Sequence, residues 1–208
     1  MKKGTALIFT GGKGPQPEQV REVIKTADFS IAADSGWDLA KRLDTEPDIF
    51  IGDMDSLQDH DGLKQISDDR KLIYPVDKDF TDTELALKYL DDRKYRDIVL
   101  IGGGGGRVDH LMAILNLFRR SPRPAQWYTS REHALYIDRD ALIRCDSGQT
   151  VSIFDCSTDE TVLSTDGLKW ELKSSVIDED FFSISNTAMG EKFSIRIEKG
   201  AALVILNY

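Results

Sequence analysis

The chain has 208 residues, 40% of them hydrophobic and 30% charged, a balance that supports a folded protein and excludes a disordered one. The length suits one large domain or a larger and a smaller one. A net charge of −9 argues against DNA, RNA or anionic lipid as the main partner.

In chain order, short apolar runs alternate with helix-period segments over the first 130 residues. Strands are expected at ALIFT (6–10), FSIAA (29–33), DIFIG (48–52), KLIYPV (71–76), DIVLIG (97–102) and AQWYT (125–129). Helices are expected at PEQVREVIKTA, WDLAKRL, LKQISDD, TDTELALKYLDDRK and VDHLMAILNLFRR. Such alternation implies a parallel sheet flanked by helices. "SPRP" at 121–124 breaks the last long helix. After it come HALYIDR, ALIRC, TVSIFDC, TVLSTDGLKWEL, FFSISN, KFSIRIE and ALVILNY, several of them alternating and separated by DSG, TDG and EKG turns. The expected architecture is an N-terminal parallel-sheet α/β domain over 1–130 followed by a small all-β sandwich over 131–208.

Two features place the chain in a cell. The opening MKKGTALIFTGG has too short an apolar run for a signal peptide and reads as a first strand, and no stretch reaches the length of a membrane span. Cys145 and Cys156 form neither a CxxC pair nor a zinc-type cluster with His60, His110 and His133, so a reducing, cytoplasmic setting is expected.

The chemistry-bearing residues fall where strands end. FSIAA runs into Asp34-Ser35-Gly36, DIFIG into Asp53-Met54-Asp55-Ser56, and KLIYPV into Asp77-Lys78-Asp79-Phe80-Thr81-Asp82. In an α/β sheet, ligands bind beyond the carboxyl ends of the strands. Neighbouring strands lie about 4.8 Å apart, so these carboxylates can converge on one edge. Clustered carboxylates repel one another and need a cation, and Mg²⁺ shared with substrate phosphates suits an oxygen-rich set. Acids that hold metal, and metal that holds phosphate, would reconcile an acidic chain with a polyphosphate ligand.

Structural roles compete at several positions. Thr81-x-x-Glu84 is a capping box, and for Glu84 that role is preferred. Asp82 precedes Leu85 and Ala86, the inward side of its helix, so its carboxylate is expected at the rim of the buried stripe. Asp109 opens a helix whose apolar stripe reads Val108, Leu111, Met112, Leu115 and Phe118, and alone it would be a favourable first-turn acid. Asp38, Asp48, Asp91 and Asp92 read as ordinary solvated acids.

Five glycines, 102–106, join the strand DIVLIG to that helix. They match neither G-x-x-x-x-G-K-[ST] nor G-x-G-x-x-G. A plain spacer is one reading. The other is a set of backbone N–H groups left free for an anion at a helix N-terminus, with Thr10-Gly11-Gly12-Lys13-Gly14 a second loop of the same type and Lys13 or Arg107 offsetting the charge.

Taken in order, the segments resemble thiamin pyrophosphokinases: AADSGW (32–37), PDIFIGDMDS (47–56), DKDFTDTELAL (77–87), GGGGGRVDHLMAILNL (102–117), STDGLKWEL (164–172), SISN (183–186) and FSIRIEKGAALVIL (193–206). The resemblance implies transfer of a pyrophosphoryl group from ATP to the hydroxyl of thiamin, giving AMP and thiamin diphosphate, with Mg²⁺. It implies that Asp34, Asp53, Asp55 and Asp82 surround the Mg²⁺–ATP site, with Asp53, Asp55 and Asp82 on the metal. Asp79 and Thr81 would line the same loop, while Arg107 and Asp109, beside Gly105 and Gly106, would face the nucleotide and bound metal. In the tail, Trp170 would stack on the aminopyrimidine, with Ser183 and Asn186 nearby. A homodimer sharing the thiamin pocket is also implied. Without the resemblance, Trp170 reads as sandwich core. The same acids would also serve a Mg²⁺-dependent phosphohydrolase, a pyrophosphokinase acting on a pterin-like alcohol, or a non-catalytic nucleotide-binding module.

Overall fold

The computed structural model describes residues 4–53, 62, 65–158 and 160–208. The chain divides into two compact units, the first ending at Ser130 and the second running Arg131–Tyr208.

In the first unit, six strands form a parallel sheet: β1 (Thr5–Thr10), β2 (Phe29–Ala33), β3 (Ile49–Gly52), β4 (Lys71–Ile73), β5 (Asp97–Gly102) and β6 (Gln126–Tyr128). Their order is β6-β5-β1-β2-β3-β4, with every adjacent pair parallel. The chain therefore steps outward from β1 to β4, then returns to the other side of β1 for β5 and β6. That reversal places a topological switch point between the carboxyl ends of β1 and β5. The inner strands are apolar throughout because both faces of a parallel sheet are covered. Leu7, Phe9, Val99 and Ile101 lie on one face and pack with Val20 of α1 (Pro17–Thr26) and with Leu39 and Ala40 of α2 (Gly36–Arg42).

Two further helices follow, α3 (Asp82–Asp92) and α4 (Val108–Leu117). The expected capping box starts α3: Glu84 N–H donates to Thr81 Oγ1 at 3.3 Å, and Thr81 N–H donates to Glu84 Oε2 at 2.8 Å. The buried side of α3 is Thr83, Ala86, Leu87 and Leu90, and it packs on β1, β2 and β3. The expected segment LKQISDD lies partly outside the described residues; its described end is a 3-10 turn at Asp68–Arg70.

In α4 the expected stripe is corrected. Phe118 is buried as expected, but Val108, Met112 and Leu115 are exposed, and Ile114 and Leu117 are buried in their place. Asp109 and Asn116 mark one short exposed side, but apolar residues fill most of the rest of the circumference, so more than one apolar stripe was open to the periodicity. Asp48 is corrected too. It is not simply solvated, because its Oδ2 accepts from Ser30 N–H at 2.8 Å and Ser30 Oγ at 2.9 Å, stapling the chain before β3 to β2.

The second unit has eight strands: β7 (Glu132–Ile137), β8 (Ala141–Arg144), β9 (Thr150–Asp155), β10 (Thr161–Asp166), β11 (Ser175–Ile177), β12 (Ser183–Thr187), β13 (Lys192–Lys199) and β14 (Ala202–Asn207). They form two antiparallel layers, β12-β9-β14-β7 and β11-β10-β13-β8. Val151, Ile153, Leu163, Ile177, Phe193, Ile195 and Val204 fill one core. The run TVLSTDGLKWEL is strand only to Asp166. Gly167 turns away with φ 93°, and the segment folds back so that Thr165 N–H donates to Leu172 O at 2.9 Å. Trp170 is thus carried on a loop rather than in the core. Neither cysteine is in a disulfide, and no helix among the described residues is long and apolar enough to cross a membrane.

Candidate active site

The acids gather at the carboxyl end of the first unit's sheet. Asp34 follows β2 directly and takes a left-handed conformation, φ 48°, which is costly for a residue with a Cβ. It is held there by its N–H donating to Ile51 O at 2.8 Å and by its carbonyl accepting from Trp37 N–H at 3.0 Å. The turn needs Gly36, because a Cβ at that position would lie 2.0 Å from Phe9 O. The next strand over delivers Asp53, and α3 delivers Asp82 in its first turn.

Between Asp53 and Asp82 stands Lys78. Its Nζ donates to Asp53 Oδ2 at 2.9 Å and to Pro75 O at 3.2 Å, and it lies 3.3 Å from Asp82 Oδ1. The three side chains are only 14%, 11% and 18% exposed, in the order Lys78, Asp53, Asp82. Burial pushes the Asp82 carboxyl above the usual aspartate range, Asp34 and Asp53 push it further, and Lys78 offsets part of the rise. Burial disfavours the Lys78 ammonium, but its bond to Asp53 and the charge of Asp82 more than compensate, and its pKa rises. Among the described residues the grouping is a set of mutually repelling acids with the Lys78 ammonium between Asp53 and Asp82.

The donor set suits a hard divalent cation. Asp82 Oδ1 is buried, and the Lys78 contact is close enough for an ion pair without the alignment of a hydrogen bond, so this oxygen keeps coordinating capacity. Among the described residues no three acidic, histidine or cysteine side chains enclose an ion by themselves. One or two carboxylates completed by phosphate oxygens is the arrangement Mg²⁺ commonly takes on polyphosphates.

Asp34, Asp53 and Asp82 come together; Asp55 lies outside the described residues, as does His60. Asp82 is largely buried at the start of α3, as expected, although of the two residues taken to mark the inward side only Ala86 is buried and Leu85 is intermediate. Thr81 is engaged in the cap, and Asp79 is exposed. Arg107 and Asp109 pair with each other across the first turn of α4, with Arg107 Nε donating to Asp109 Oδ1 at 3.1 Å. Lys78 is the member of this group that the strand-end rule for acids does not reach. The available signal was a single basic residue four positions before Asp82 in an otherwise acidic loop.

The glycine run is largely a packing device. Gly103 N–H donates to Gly11 O at 2.7 Å, Lys13 N–H to Gly104 O at 2.7 Å, and Gly104 N–H to Lys13 O at 3.2 Å. These bonds zip the loop after β5 to the loop after β1 across the switch point. A Cβ on Gly102 would fall 2.1 Å from Thr10 O, and one on Gly104 would fall 2.8 Å from Lys13 O. The N–H groups of Gly103 and Gly104 are therefore spent, a correction to the reading of the run as free donors. Gly105 and Gly106 remain exposed.

In the second unit Trp170 is 56% exposed, with Lys169 Nζ 4.6 Å from its ring centroid. Asn186 is buried beneath it and bonds its backbone; Ser183 is buried at the start of β12, opposite Ile153. Ser185, between them, has φ 56° at the bulge of that strand.

Two family models match the chain. "Thiamin pyrophosphokinase, catalytic domain" covers residues 20–126, and "Thiamin pyrophosphokinase, vitamin B1 binding domain" covers residues 132–202. Thiamin pyrophosphokinase 1 of Caenorhabditis elegans is 29% identical over 141 residues, taking in 61% of this chain and 56% of the relative, so the match spans little more than half the relative's length. Among solved structures, the Bacillus subtilis thiamine pyrophosphokinase superposes with a TM-score of 0.80 at 20% identity, covering 98% of this chain and 99% of that one. The thiamin pyrophosphokinases of Geobacillus thermodenitrificans (0.77, 23% identity, 99% and 98% covered) and Candida albicans (0.79, 15%, 99% and 90%) share the fold as well.

Proposed function

The chain belongs to the thiamin pyrophosphokinase family, and from that premise we propose that it transfers the pyrophosphoryl group of ATP to the hydroxyl of thiamin, releasing AMP and thiamin diphosphate. One observation carries the assignment of the site: Asp53 and Asp82 converge on a single positive charge at the carboxyl end of the sheet, with Asp34 near enough to raise the proton affinity of Asp82.

Transfer to an alcohol needs alignment and charge neutralisation more than covalent help from the protein. A bound Mg²⁺ would neutralise charge on the phosphates flanking the broken bond. Asp53 and Asp82 would hold it, with Asp55 following Asp53 on the same segment of sequence. The carboxylates of this group also receive the proton that the attacking hydroxyl gives up. Arg107 and the exposed backbone of Gly105 and Gly106 open α4, where positive charge and N–H groups favour a phosphate. Asp79, Thr81 and Asp109 border the same approach in sequence.

Trp170 supplies an exposed indole, a surface on which a cationic aromatic substrate stacks favourably. Asn186 holds the loop beneath it, and Ser183, buried on the same strand, completes the substrate-binding set. We place catalysis in the first unit, vitamin recognition in the second, and the whole in a cytoplasmic homodimer.

The test is to incubate the protein with ATP, Mg²⁺ and thiamin and to separate the products. AMP formed together with thiamin diphosphate supports the proposal. ADP, or free phosphate released without thiamin, would assign the acids to a kinase or a phosphohydrolase instead.

A further inference from the structure

Lys78 sits on the segment between β4 and α3, on a flexible four-carbon stem rather than within a regular element. Its ammonium meets three oxygens, Asp53 Oδ2 at 2.9 Å, Pro75 O at 3.2 Å and Asp82 Oδ1 at 3.3 Å. The three side chains are largely withdrawn from water, so the repulsion between the two carboxylates is poorly screened and needs a positive charge within the group. An ammonium with three donors can supply that charge, and so can a divalent cation with carboxylate ligands. Both cannot occupy the same place.

We propose that Lys78 is an internal counter-ion, whose ammonium occupies the cation position between Asp53 and Asp82 in the metal-free chain and is displaced when a divalent cation enters. The inference rests on the reading that these acids hold a cation. It adds that the chain carries its own competitor for that place. Such a lysine keeps the empty site assembled and weakens metal binding to the free protein. After displacement, its charge remains beside the phosphates that the cation brings.

The experiment compares the parent with Lys78→Met in two measurements on the full chain. In EDTA, the melting temperature of Lys78→Met should fall by several degrees, and added Mn²⁺ should close the gap. Electron paramagnetic resonance of free Mn²⁺ should show the variant binding the ion roughly tenfold more tightly, the scale of one charge-assisted contact. Lys78→Arg, which keeps the charge, should melt close to the parent in EDTA. If Lys78→Met does not fold, Lys78→Gln takes its place in both measurements. Equal or weaker Mn²⁺ affinity in the neutral variant, while the parent binds the ion, overturns the exchange and leaves the metal reading standing. No Mn²⁺ binding by parent or variant, with or without ATP, removes the metal reading and the exchange together.

Discussion

The side-chain amide of Asn186 holds Trp170 by both of its backbone polar groups, accepting from its N–H at 3.1 Å and donating to its carbonyl at 2.7 Å. The same Oδ1 also accepts from Thr187 N–H at 2.8 Å. Asn186 is 2% exposed while the indole above it is 56% exposed, so one residue fixes the loop and the other presents the surface. Asn186→Ala should therefore cost about 1–3 kcal/mol, the scale of buried polar groups left without partners. It should also raise the thiamin KM well above any change in the ATP KM. Trp170→Ala should weaken thiamin binding with little change in melting temperature. Equal loss of affinity for both substrates would instead point to damage of the fold.

Asp82→Asn keeps the shape of the side chain and removes its charge. AMP formation should be lost, and far-UV circular dichroism and gel filtration should match the parent, because the Thr81–Glu84 cap that starts α3 does not involve Asp82. Turnover equal to that of the parent would remove Asp82 from the mechanism.

Two glycine substitutions should separate packing from binding. Gly36→Ala places a Cβ 2.0 Å from the Phe9 carbonyl, and such crowding should cost about 1–3 kcal/mol or more, read as a lowered denaturation midpoint. Gly106→Ala meets nothing closer than Gly104 O at 3.9 Å, so stability should hold within about 0.5 kcal/mol. If the backbone of Gly106 approaches phosphate, the ATP KM of Gly106→Ala should rise while the thiamin KM does not.

His133 on β7 titrates at about 4 because burial disfavours its charged form. The unfolded chain, with an ordinary value of about 6.5, binds a proton first as pH falls. The stability this residue permits is therefore present in full above pH ~6.5 and is lost progressively as pH drops through about 4, by on the order of 2–3 kcal/mol. Urea midpoints measured between pH 7 and pH 4 should decline less steeply in His133→Asn than in the parent. Parallel slopes would exclude the histidine as their source.

Much of this protein can be read without coordinates. The apolar runs of β1, β2 and β5 lie where expected because strands covered on both faces need no alternation. The capping box of α3 is local chemistry within four residues. The acids at strand ends follow from one rule about parallel sheets. Helix α4 could not be oriented by the same means, since Val108, Met112 and Leu115 are as apolar as Ile114 and Leu117. Nor could the glycine run be read correctly, because half of its purpose lies in a loop some ninety residues earlier in the chain.

The amino-acid order by itself determined the alternation of strands and helices, the change to antiparallel strands after residue 130 and the aspartates that follow β2, β3 and β4, since all of these are written in local periodicity and short-range sequence. Only the tertiary structure decided that Lys78 comes between Asp53 and Asp82, that the glycines of two loops join, and that Asn186 clamps Trp170. Those relations depend on distances between groups far apart along the chain, and such distances are set by how the strands stack side by side.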